Sequence, residues 1–337
     1  MKLRTAAWSG LGTLAALALT AGWTGYSSEL NRARVRVSAG SAVVDTRFGP
    51  MEYADAGSGH AILVVHGTGG GFDQGMDLGR YFAGADWRVI APSRFGYLRS
   101  SFPDDPSSAN QADAFVDLLD HLGIDRVAVI GVSAGALSAI EFAVRHPTRC
   151  AALVAVVPAA YAPGRPPVRA PSAVAAGIIE HALQSDLVFW AGLTFAQDSM
   201  IGTLLATDPA LLKSAPESEA KRARAILRNI LPVSARARGL LNDGKLAGDP
   251  APSRLDAISA PTLAISLEDD RFQTLAAARH LADSVPRARL VTFPTGGHIW
   301  LGHHDEVMTA IEEVLLSVFP KGTLDRDAGS RKGAHPR

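Results

Sequence analysis

The chain has 337 residues, of which 47% are hydrophobic, and its 33 Lys and Arg residues balance its 33 Asp and Glu residues. This length is enough for one large domain with a substantial core, and the balanced charge argues against a nucleic-acid or polyanion partner. The single cysteine, Cys150, excludes an intramolecular disulfide and a multi-cysteine metal site. Its position at the start of an apolar run predicts a small buried side chain.

Residues 1–30 are predicted to form a membrane anchor or a signal peptide. Lys2 and Arg4 are followed by no charged residue until Glu29, and about 20 largely apolar residues can span a bilayer. A basic start, a short apolar core and the small residues at 16–18 also fit a cleaved signal peptide, and a helix packed on the protein is a third interpretation. The protein is therefore expected to be membrane-anchored, or exported after cleavage.

Residues 40–160 are predicted to form the first part of an α/β core. After two short strands joined by a Gly-Pro turn, continuous apolar runs are typical of strands buried on both faces. These runs are AILVVHG, WRVIAPS, RVAVIG and CAALVAVVP. Segments with apolar residues at helical spacing lie between them, and this alternation predicts a parallel sheet with helices on both faces.

The alternation stops at residues 161–252, which contain helical stretches and no convincing strand. We expect this region to be a helical lid inserted above the sheet, followed by the second part of the core in residues 253–320. The polar residues 321–337 are predicted to be a disordered tail. Apolar lid residues indicate either a hydrophobic acyl or aryl substrate or simple packing of the lid. They are Ile178, Ile179, Leu187, Val188, Phe189, Trp190 and Leu193.

The sequence GVSAG places Ser133 between a predicted strand and a predicted helix. A serine on so tight a turn is held in a strained conformation, and side chains at Gly131 and Gly135 would collide with neighbouring elements. A plain strand-to-helix corner is the alternative. Because a free serine hydroxyl is a weak nucleophile, a catalytic Ser133 needs a base and an orienting acid at the carboxyl ends of later strands.

His298 and an acidic cluster are the candidates for that base and acid. His298 follows two glycines beyond the strand ARLVTFP, and glycines allow a loop to approach the sheet edge closely. The strand PTLAISL is followed by three acidic residues, of which Asp270 is preferred over Asp269 as the group that orients the imidazole. A metal site is disfavoured because no recognised ligand spacing occurs. The residues considered for it are His298, His303, His304 and Asp305.

The sequence HGTGGG, residues 66–71, is the candidate oxyanion hole and is called the glycine-rich loop below. A carbonyl oxygen that becomes negative after attack needs preorganised N–H donors. We expect the N–H of Ala134 and the N–H of Thr68 to supply them, with Gly69 as second choice. The loop does not fit a dinucleotide-binding motif, because Phe72 stands at the sixth position, and no Walker A motif occurs. His66 is expected to hydrogen-bond within the loop.

The order HG-x-GGG, G-x-S-x-G, helical insertion, acid and GGH resembles the α/β-hydrolase superfamily across residues 43–319. The resemblance implies an α/β fold with a doubly wound, mostly parallel, eight-stranded sheet beneath a lid, and catalysis without a cofactor. It implies Ser133 as nucleophile, Asp270 as acid and His298 as base. It also implies the N–H groups of Thr68 and Ala134 as the oxyanion hole.

The sequence therefore predicts a serine hydrolase that cleaves an ester, thioester, lactone or similar small acyl substrate through an acyl-enzyme. Its expected partner is a small molecule with an apolar acyl or aryl group. Three alternatives remain at this point: an acyltransferase on the same residues, a carbon–carbon bond hydrolase, and a membrane-tethered binding module without catalysis. The sequence indicates no oligomeric state.

Overall fold

A computed structural model describes residues 2–82, 86–167 and 172–320. Eight strands form one sheet. They are β1 (Ala42–Thr46), β2 (Gly49–Gly57), β3 (His60–Val65), β4 (Trp87–Pro92), β5 (Val127–Val132), β6 (Cys150–Val156), β7 (Thr262–Leu267) and β8 (Ala288–Phe293). Their order is β1-β2-β4-β3-β5-β6-β7-β8. β1 pairs antiparallel with β2, and β2 antiparallel with β4, whereas all other pairs are parallel.

The described residues form twelve α-helices, several of which cover the two faces of this sheet. They are α1 (Lys2–Ser38), α2 (Phe72–Gly79), α3 (Ser108–His121), α4 (Gly135–Arg145), α5 (Ala173–Gln184), α6 (Asp186–Phe195), α7 (Gln197–Leu204), α8 (Leu211–Ser214), α9 (Glu217–Arg228), α10 (Ala237–Leu246), α11 (Thr274–Ser284) and α12 (His304–Val318). Buried residues of α3, α4 and α11 pack on one face, and those of α12 on the other. Every residue of β6 and β7 is buried as a result, which explains their continuous apolar sequences. The predicted fold class is confirmed.

The six helices α5–α10 follow β6 and precede β7, in the region predicted to be the lid. The structure places no strand among the described residues of 161–252. These helices have an apolar core of their own that is separate from the two cores of the sheet. The lid is therefore a packed helical layer, and it lies over the carboxyl ends of the strands.

α1 differs from the segment predicted for residues 1–30, because the helix continues to Ser38. Leu30 and Ala33 are buried, and the ring of Tyr26 lies 5.7 Å from that of Trp190 in the lid. The second half of α1 is thus part of the packed structure. Across the described residues, no helix combines the length and the apolarity that crossing a membrane requires. The tail predicted for residues 321–337 lies outside the described residues.

Candidate active site

Ser133 lies on a sharp turn between β5 and α4. Its φ is +51°, in the left-handed region that residues with side chains rarely adopt. A Cβ at Gly131 would lie 2.7 Å from the Cα of Ala136, and one at Gly135 would lie 2.4 Å from the carbonyl oxygen of His66. Only glycine fits at both positions, as the sequence predicted. The turn therefore presents the serine hydroxyl at the carboxyl edge of the sheet.

Ser133, His298 and Asp270 come from three strand ends and form one hydrogen-bonded row. His298 Nε2 lies 2.9 Å from Ser133 Oγ, and His298 Nδ1 lies 2.9 Å from Asp270 Oδ2. The carboxylate accepts from Nδ1–H, which leaves Nε2 to accept from the serine hydroxyl. All three side chains are buried. A hydroxyl next to a base that a carboxylate orients is the arrangement that nucleophilic catalysis requires.

Asp269 and Asp270 have different partners. Asp269 accepts hydrogen bonds from the backbone N–H groups of Gly296 and Gly297, at 3.0 and 2.8 Å. These two glycines have φ values of +129° and +63°, so the loop before His298 depends on them. The structure thus brings Asp270 to the imidazole of His298, whereas Asp269 binds the backbone of the loop that carries His298.

The environment of Asp270 favours its ionised form. Burial by itself raises the pKa of this carboxyl, but the charge of His298 and its hydrogen bond lower it. The hydroxyl of Thr274 and the backbone N–H of Phe272 also donate to the carboxylate. Together these interactions hold the pKa of Asp270 below its ordinary value. Asp270 is therefore an anion that can stabilise a protonated imidazole.

Two backbone N–H groups next to Ser133 are available as donors. Those of Thr68 and Ala134 make no hydrogen bond within the part of the chain that the structure describes. The N–H of Gly69, in contrast, donates to the hydroxyl of the buried Tyr97 at 3.3 Å. Of the two predicted choices in the glycine-rich loop, Thr68 is therefore the one with a free donor.

Side chains beneath the glycine-rich loop hold its backbone in place. The N–H of Gly67 donates to Gln74 Oε1 at 2.9 Å. His66 Nε2 accepts from the backbone N–H of Arg94 at 3.0 Å, so its Nδ1–H donates to the carbonyl oxygen of Gly67 at 2.7 Å. Burial holds the pKa of His66 well below its ordinary value, and the ring is neutral. The hydrogen bond predicted for His66 within the loop is present.

Comparison with known proteins agrees with this geometry. A family model described as alpha/beta hydrolase fold matches residues 60–304, more than half of the chain. The match begins at β3, contains the glycine-rich loop, the serine turn and the lid, and ends at the first residue of α12. The chain belongs to the alpha/beta hydrolase fold family. The predicted superfamily is confirmed.

This alpha/beta hydrolase is similar to individual proteins from several bacteria. The uncharacterized hydrolase YcgS of Bacillus subtilis is 42% identical over 103 residues, which are 30% of this chain and 35% of that protein. The 2-hydroxy-6-oxo-6-phenylhexa-2,4-dienoate hydrolase of Burkholderia cepacia is 29% identical over 72% of this chain and 83% of its own length. A solved alpha/beta hydrolase fold protein from Nakamurella multipartita superposes with a TM-score of 0.63 and 25% identity. That match covers 82% of this chain and 98% of the solved one.

A cavity of about 410 Å³ lies over Ser133 in this alpha/beta hydrolase, between the sheet edge and the lid. Its volume falls within the range of small-molecule sites. Most of its wall is apolar. The lid supplies Leu183, Leu204, Leu205, Ile226 and Leu240 to this wall. The cavity can therefore hold a small apolar group against the serine hydroxyl.

The apolar lid residues predicted from the sequence have a different position from those of the cavity wall. Three of them are buried in the core of the lid itself: Phe189, Trp190 and Leu193. Leu187 and Val188 are exposed, and the side chains of Ile178 and Ile179 lie outside the described residues. The structure thus supports packing for Phe189, Trp190 and Leu193, and none of the five described side chains of this set lines the cavity.

One end of the cavity has a cationic side chain that the sequence analysis did not identify. Arg222 of α9 donates from Nη2 to the carbonyl oxygen of Ile299 at 2.7 Å, and its guanidinium lies 5.1 Å from the centre of the Trp300 ring. Its Nη2 also lies 3.5 Å from Glu219 Oε2, and its Nε has no hydrogen-bond partner in the described structure. No motif marks Arg222. The only sequence signal is its four-residue spacing from Ile226, which lines the same cavity.

The histidines considered for a metal site are separated in the structure. The ring of His303 stacks on that of Phe293 with centroids 4.3 Å apart, and His304 Nδ1 accepts from Trp300 Nε1 at 3.4 Å. His298 contacts Ser133 and Asp270 instead. In residues 2–82, 86–167 and 172–320, no three His, Cys, Asp or Glu side chains are placed to hold a metal ion together.

Proposed function

We propose that this alpha/beta hydrolase is a serine hydrolase that cleaves an ester, thioester, lactone or similar small acyl substrate. The observation that carries the proposal is the row Ser133–His298–Asp270, with both hydrogen bonds at 2.9 Å. Ser133 and His298 also line the apolar cavity, so the row faces the space available to a substrate. Asp270 as the acid, rather than Asp269, is part of the proposal.

The geometry supports acylation followed by deacylation. Ser133 Oγ attacks the substrate carbonyl while His298 Nε2 takes the hydroxyl proton, and Asp270 stabilises the imidazolium that forms. The free N–H groups of Thr68 and Ala134 then donate to the carbonyl oxygen as it becomes negative. His298 returns its proton to the leaving group. It next takes a proton from water as the water oxygen attacks the acyl carbon, and it passes this proton to Ser133 Oγ when the bond from Oγ to the acyl carbon breaks and the acid leaves.

A series of p-nitrophenyl esters with increasing acyl length tests this proposal. We expect wild type to hydrolyse short and medium acyl chains, which fit a cavity of about 410 Å³, and Ser133→Ala to release no nitrophenol above background. Equal turnover by both proteins would reject Ser133 as the nucleophile. Product formation that requires an alcohol or thiol acceptor would instead identify an acyltransferase.

Carbon–carbon bond hydrolysis is the second candidate, and Arg222 is the observation that favours it. The relative from Burkholderia cepacia is named for a dienoate, a substrate that contains a carboxylate. Arg222 lines the cavity, and a guanidinium is well suited to bind a carboxylate. If this candidate is correct, the protein will hydrolyse 2-hydroxy-6-oxo-6-phenylhexa-2,4-dienoate, which is measured as loss of the substrate's absorbance. Arg222→Gln will then raise KM for this substrate. Hydrolysis of neutral esters alone would reject the candidate.

We also propose that the N-terminal part of α1 attaches the protein to a membrane. Residues 5–28 contain no Asp, Glu, Lys or Arg, and both Leu17 and Trp23 are exposed. Apolar surface of this kind favours contact with lipid. Full-length protein is expected to sediment with lipid vesicles, and protein lacking residues 1–25 is expected to remain in the supernatant. Recovery of a mature protein whose first residue follows Ala18 would reject attachment in favour of signal cleavage.

A further inference from the structure

The second half of α1 contacts the lid through a hydrogen bond and an ion pair as well as through apolar packing. Glu29 accepts a hydrogen bond from Trp190 Nε1 at 3.0 Å and forms an ion pair with Arg228 at 3.1 Å. The next residue, Leu30, and Ala33, one turn further along, are buried. α1 precedes the part of the chain that matches the family, yet it packs directly on the helices above the active site.

Arg36, near the end of α1, donates hydrogen bonds to a short lid segment that contacts the glycine-rich loop. Arg36 Nη2 donates to the carbonyl oxygens of Asn229 and Leu231, at 2.9 and 2.5 Å. The residue between these two carbonyls is Ile230. A Cβ at Gly69 would lie only 3.1 Å from Ile230 Cγ1, so this side chain packs directly against the loop. Arg36 thereby holds Ile230 against the residue that follows Thr68.

Arg36 also reaches the other side of the loop through Asp73. Its Nε donates to Asp73 Oδ2 at 3.3 Å, and Arg236 binds the same carboxylate with distances of 2.7 and 3.1 Å. Arg236 is fully buried and donates to the carbonyl oxygen of Gly70. Burial raises the pKa of Asp73, but the charges of Arg236 and Arg36 outweigh it and keep the carboxyl ionised. This cluster therefore fixes the backbone one residue beyond Gly69.

We propose that Arg36 is a positioning residue for the oxyanion hole, which rests on the serine-hydrolase function proposed above. Through Ile230 it supports Gly69, and through Asp73 and Arg236 it supports Gly70. These contacts fix the orientation of the peptide that carries the Thr68 N–H. A residue of the N-terminal helix thus supports a site in the part of the chain that matches the family, which begins more than 20 residues later.

The test compares Arg36→Ala with Arg32→Ala, which removes the same charge one turn earlier on α1. Arg32 is exposed, and among the described residues its side chain donates a hydrogen bond only to Ser28 of its own helix, so we expect wild-type kinetics from its variant. Removing an oxyanion donor outright lowers kcat by about 10²–10³-fold. Loosening the donor costs less, and for Arg36→Ala we expect kcat for p-nitrophenyl butyrate to fall by about 10-fold, with KM within about twofold of wild type. The rates are divided by the concentration of active sites, which is the concentration of Ser133 that a fluorophosphonate has labelled when the labelling is complete. Loss of folded protein then does not lower the measured kcat.

A boronic acid gives a second readout that a purely structural role would not change. Boron binds Ser133 Oγ to form a tetrahedral anion that resembles the reaction intermediate, so its affinity is expected to fall by the same factor as kcat. Arg36→Lys keeps a charge beside Asp73 but lacks the planar fork, and it should recover only part of the loss. Ile230→Ala removes the contact with Gly69 and leaves the ion pairs of Arg36 and Asp73 in place. It should also lower kcat, and it tests the role of Arg36 if Arg36→Ala does not fold.

The outcomes separate this inference from the proposed function. Wild type that shows neither Ser133-dependent turnover nor boronate binding would reject the proposed function itself. Active wild type with equal kcat and boronate affinity in Arg36→Ala and Arg32→Ala would reject the role of Arg36 alone. If Arg36→Ala yields no folded protein, unchanged kcat in Ile230→Ala would reject it as well.

Discussion

Gly135, the first residue of the helix after Ser133, lies against the end of β3 and the first residue of the glycine-rich loop. A Cβ at this position would lie 2.4 Å from the carbonyl oxygen of His66 and 2.5 Å from that of Val65. Both neighbours are backbone atoms, which cannot rotate away as a flexible side chain can. Gly135→Ala therefore has to move α4 and the end of β3 apart.

The size of the effect follows from these distances. Ordinary contact begins near 3.4 Å, so the two backbones must separate by about 1 Å, and overpacking of this kind costs about 1–3 kcal/mol of unfolding free energy. His66 begins the loop that carries Thr68. A displacement of about 1 Å at a catalytic group costs up to about 10²-fold in rate, and we expect kcat to fall toward that value while KM changes little.

Urea unfolding followed by tryptophan fluorescence measures the first effect, and hydrolysis of p-nitrophenyl butyrate measures the second. Gly177→Ala in α5 is the matched control, because a Cβ at Gly177 would meet nothing within 4 Å. Alanine should stabilise that exposed helical position by about 0.5–1 kcal/mol and leave kcat unchanged. Wild-type stability and kcat in Gly135→Ala would refute the close contact. Lower stability with unchanged kcat would refute the link to the loop.

Three further predictions concern buried groups. Asp270→Asn should lower kcat by about 10³–10⁴-fold, and more than Asp269→Asn does. Because the pKa of Asp270 is held below its ordinary value, its carboxylate stabilises the fold above about pH 4 and this contribution is lost as pH falls. The difference in unfolding free energy between wild type and Asp270→Asn should therefore shrink from about pH 5 to pH 3 in urea titrations, and a constant difference would contradict the low pKa. Arg94→Met leaves the buried Asp243 without its cationic partner and should lower the free energy of unfolding in urea by about 3–5 kcal/mol. The double variant with Asp243→Asn should recover part of this loss, and no recovery would contradict the pairing. Burial raises the pKa of Cys150 to about 12, so Ellman's reagent should not react at about pH 8 until urea unfolds the protein, and rapid reaction of folded protein would contradict burial.

The sheet and the serine turn could be predicted because their sequence patterns are local. β3, β5, β6 and β7 are covered on both faces, so nearly every residue in them is apolar. Gly131 and Gly135 are required by contacts with neighbouring backbone and side chains, and the pattern around Ser133 shows that requirement directly. The same holds for the two glycines before His298.

The role of α1 could not be predicted, because its partners are distant in sequence. Arg36 contacts carbonyl groups 193 and 195 residues away, and Glu29 contacts Trp190 161 residues away. The uncharged run before Glu29 dominates the sequence and favours an anchor. The docking side of the helix, with Leu30 and Ala33, is too short to show a clear periodicity.

Arg222 was missed for a similar reason. It lies on a helix rich in charged residues, and its four-residue spacing from Ile226 is too weak a signal to distinguish it from a solvent-exposed arginine. The position of its side chain depends on contacts with Ile299 and Trp300, which follow the lid insertion in the sequence. Tertiary contact alone identifies it as part of the cavity.

The choice between Asp269 and Asp270 shows the same limit at a single residue. Both follow β7, and the sequence favours Asp270 without a spacing rule that excludes Asp269. The tight turn after β7 directs Asp270 to His298 and Asp269 to the glycine loop. Two adjacent carboxylates thus acquire different partners from backbone geometry that no motif describes.

Covalent labelling of Ser133 tests the central claim most directly. Folded protein is incubated with a fluorophosphonate, and the modified peptide is identified by mass spectrometry. The row of Ser133, His298 and Asp270 predicts one adduct per chain, on Ser133, with none in Ser133→Ala and greatly slowed labelling in His298→Ala. Absence of an adduct in folded wild type, or equal labelling of Ser133→Ala, would contradict a nucleophilic serine at this site.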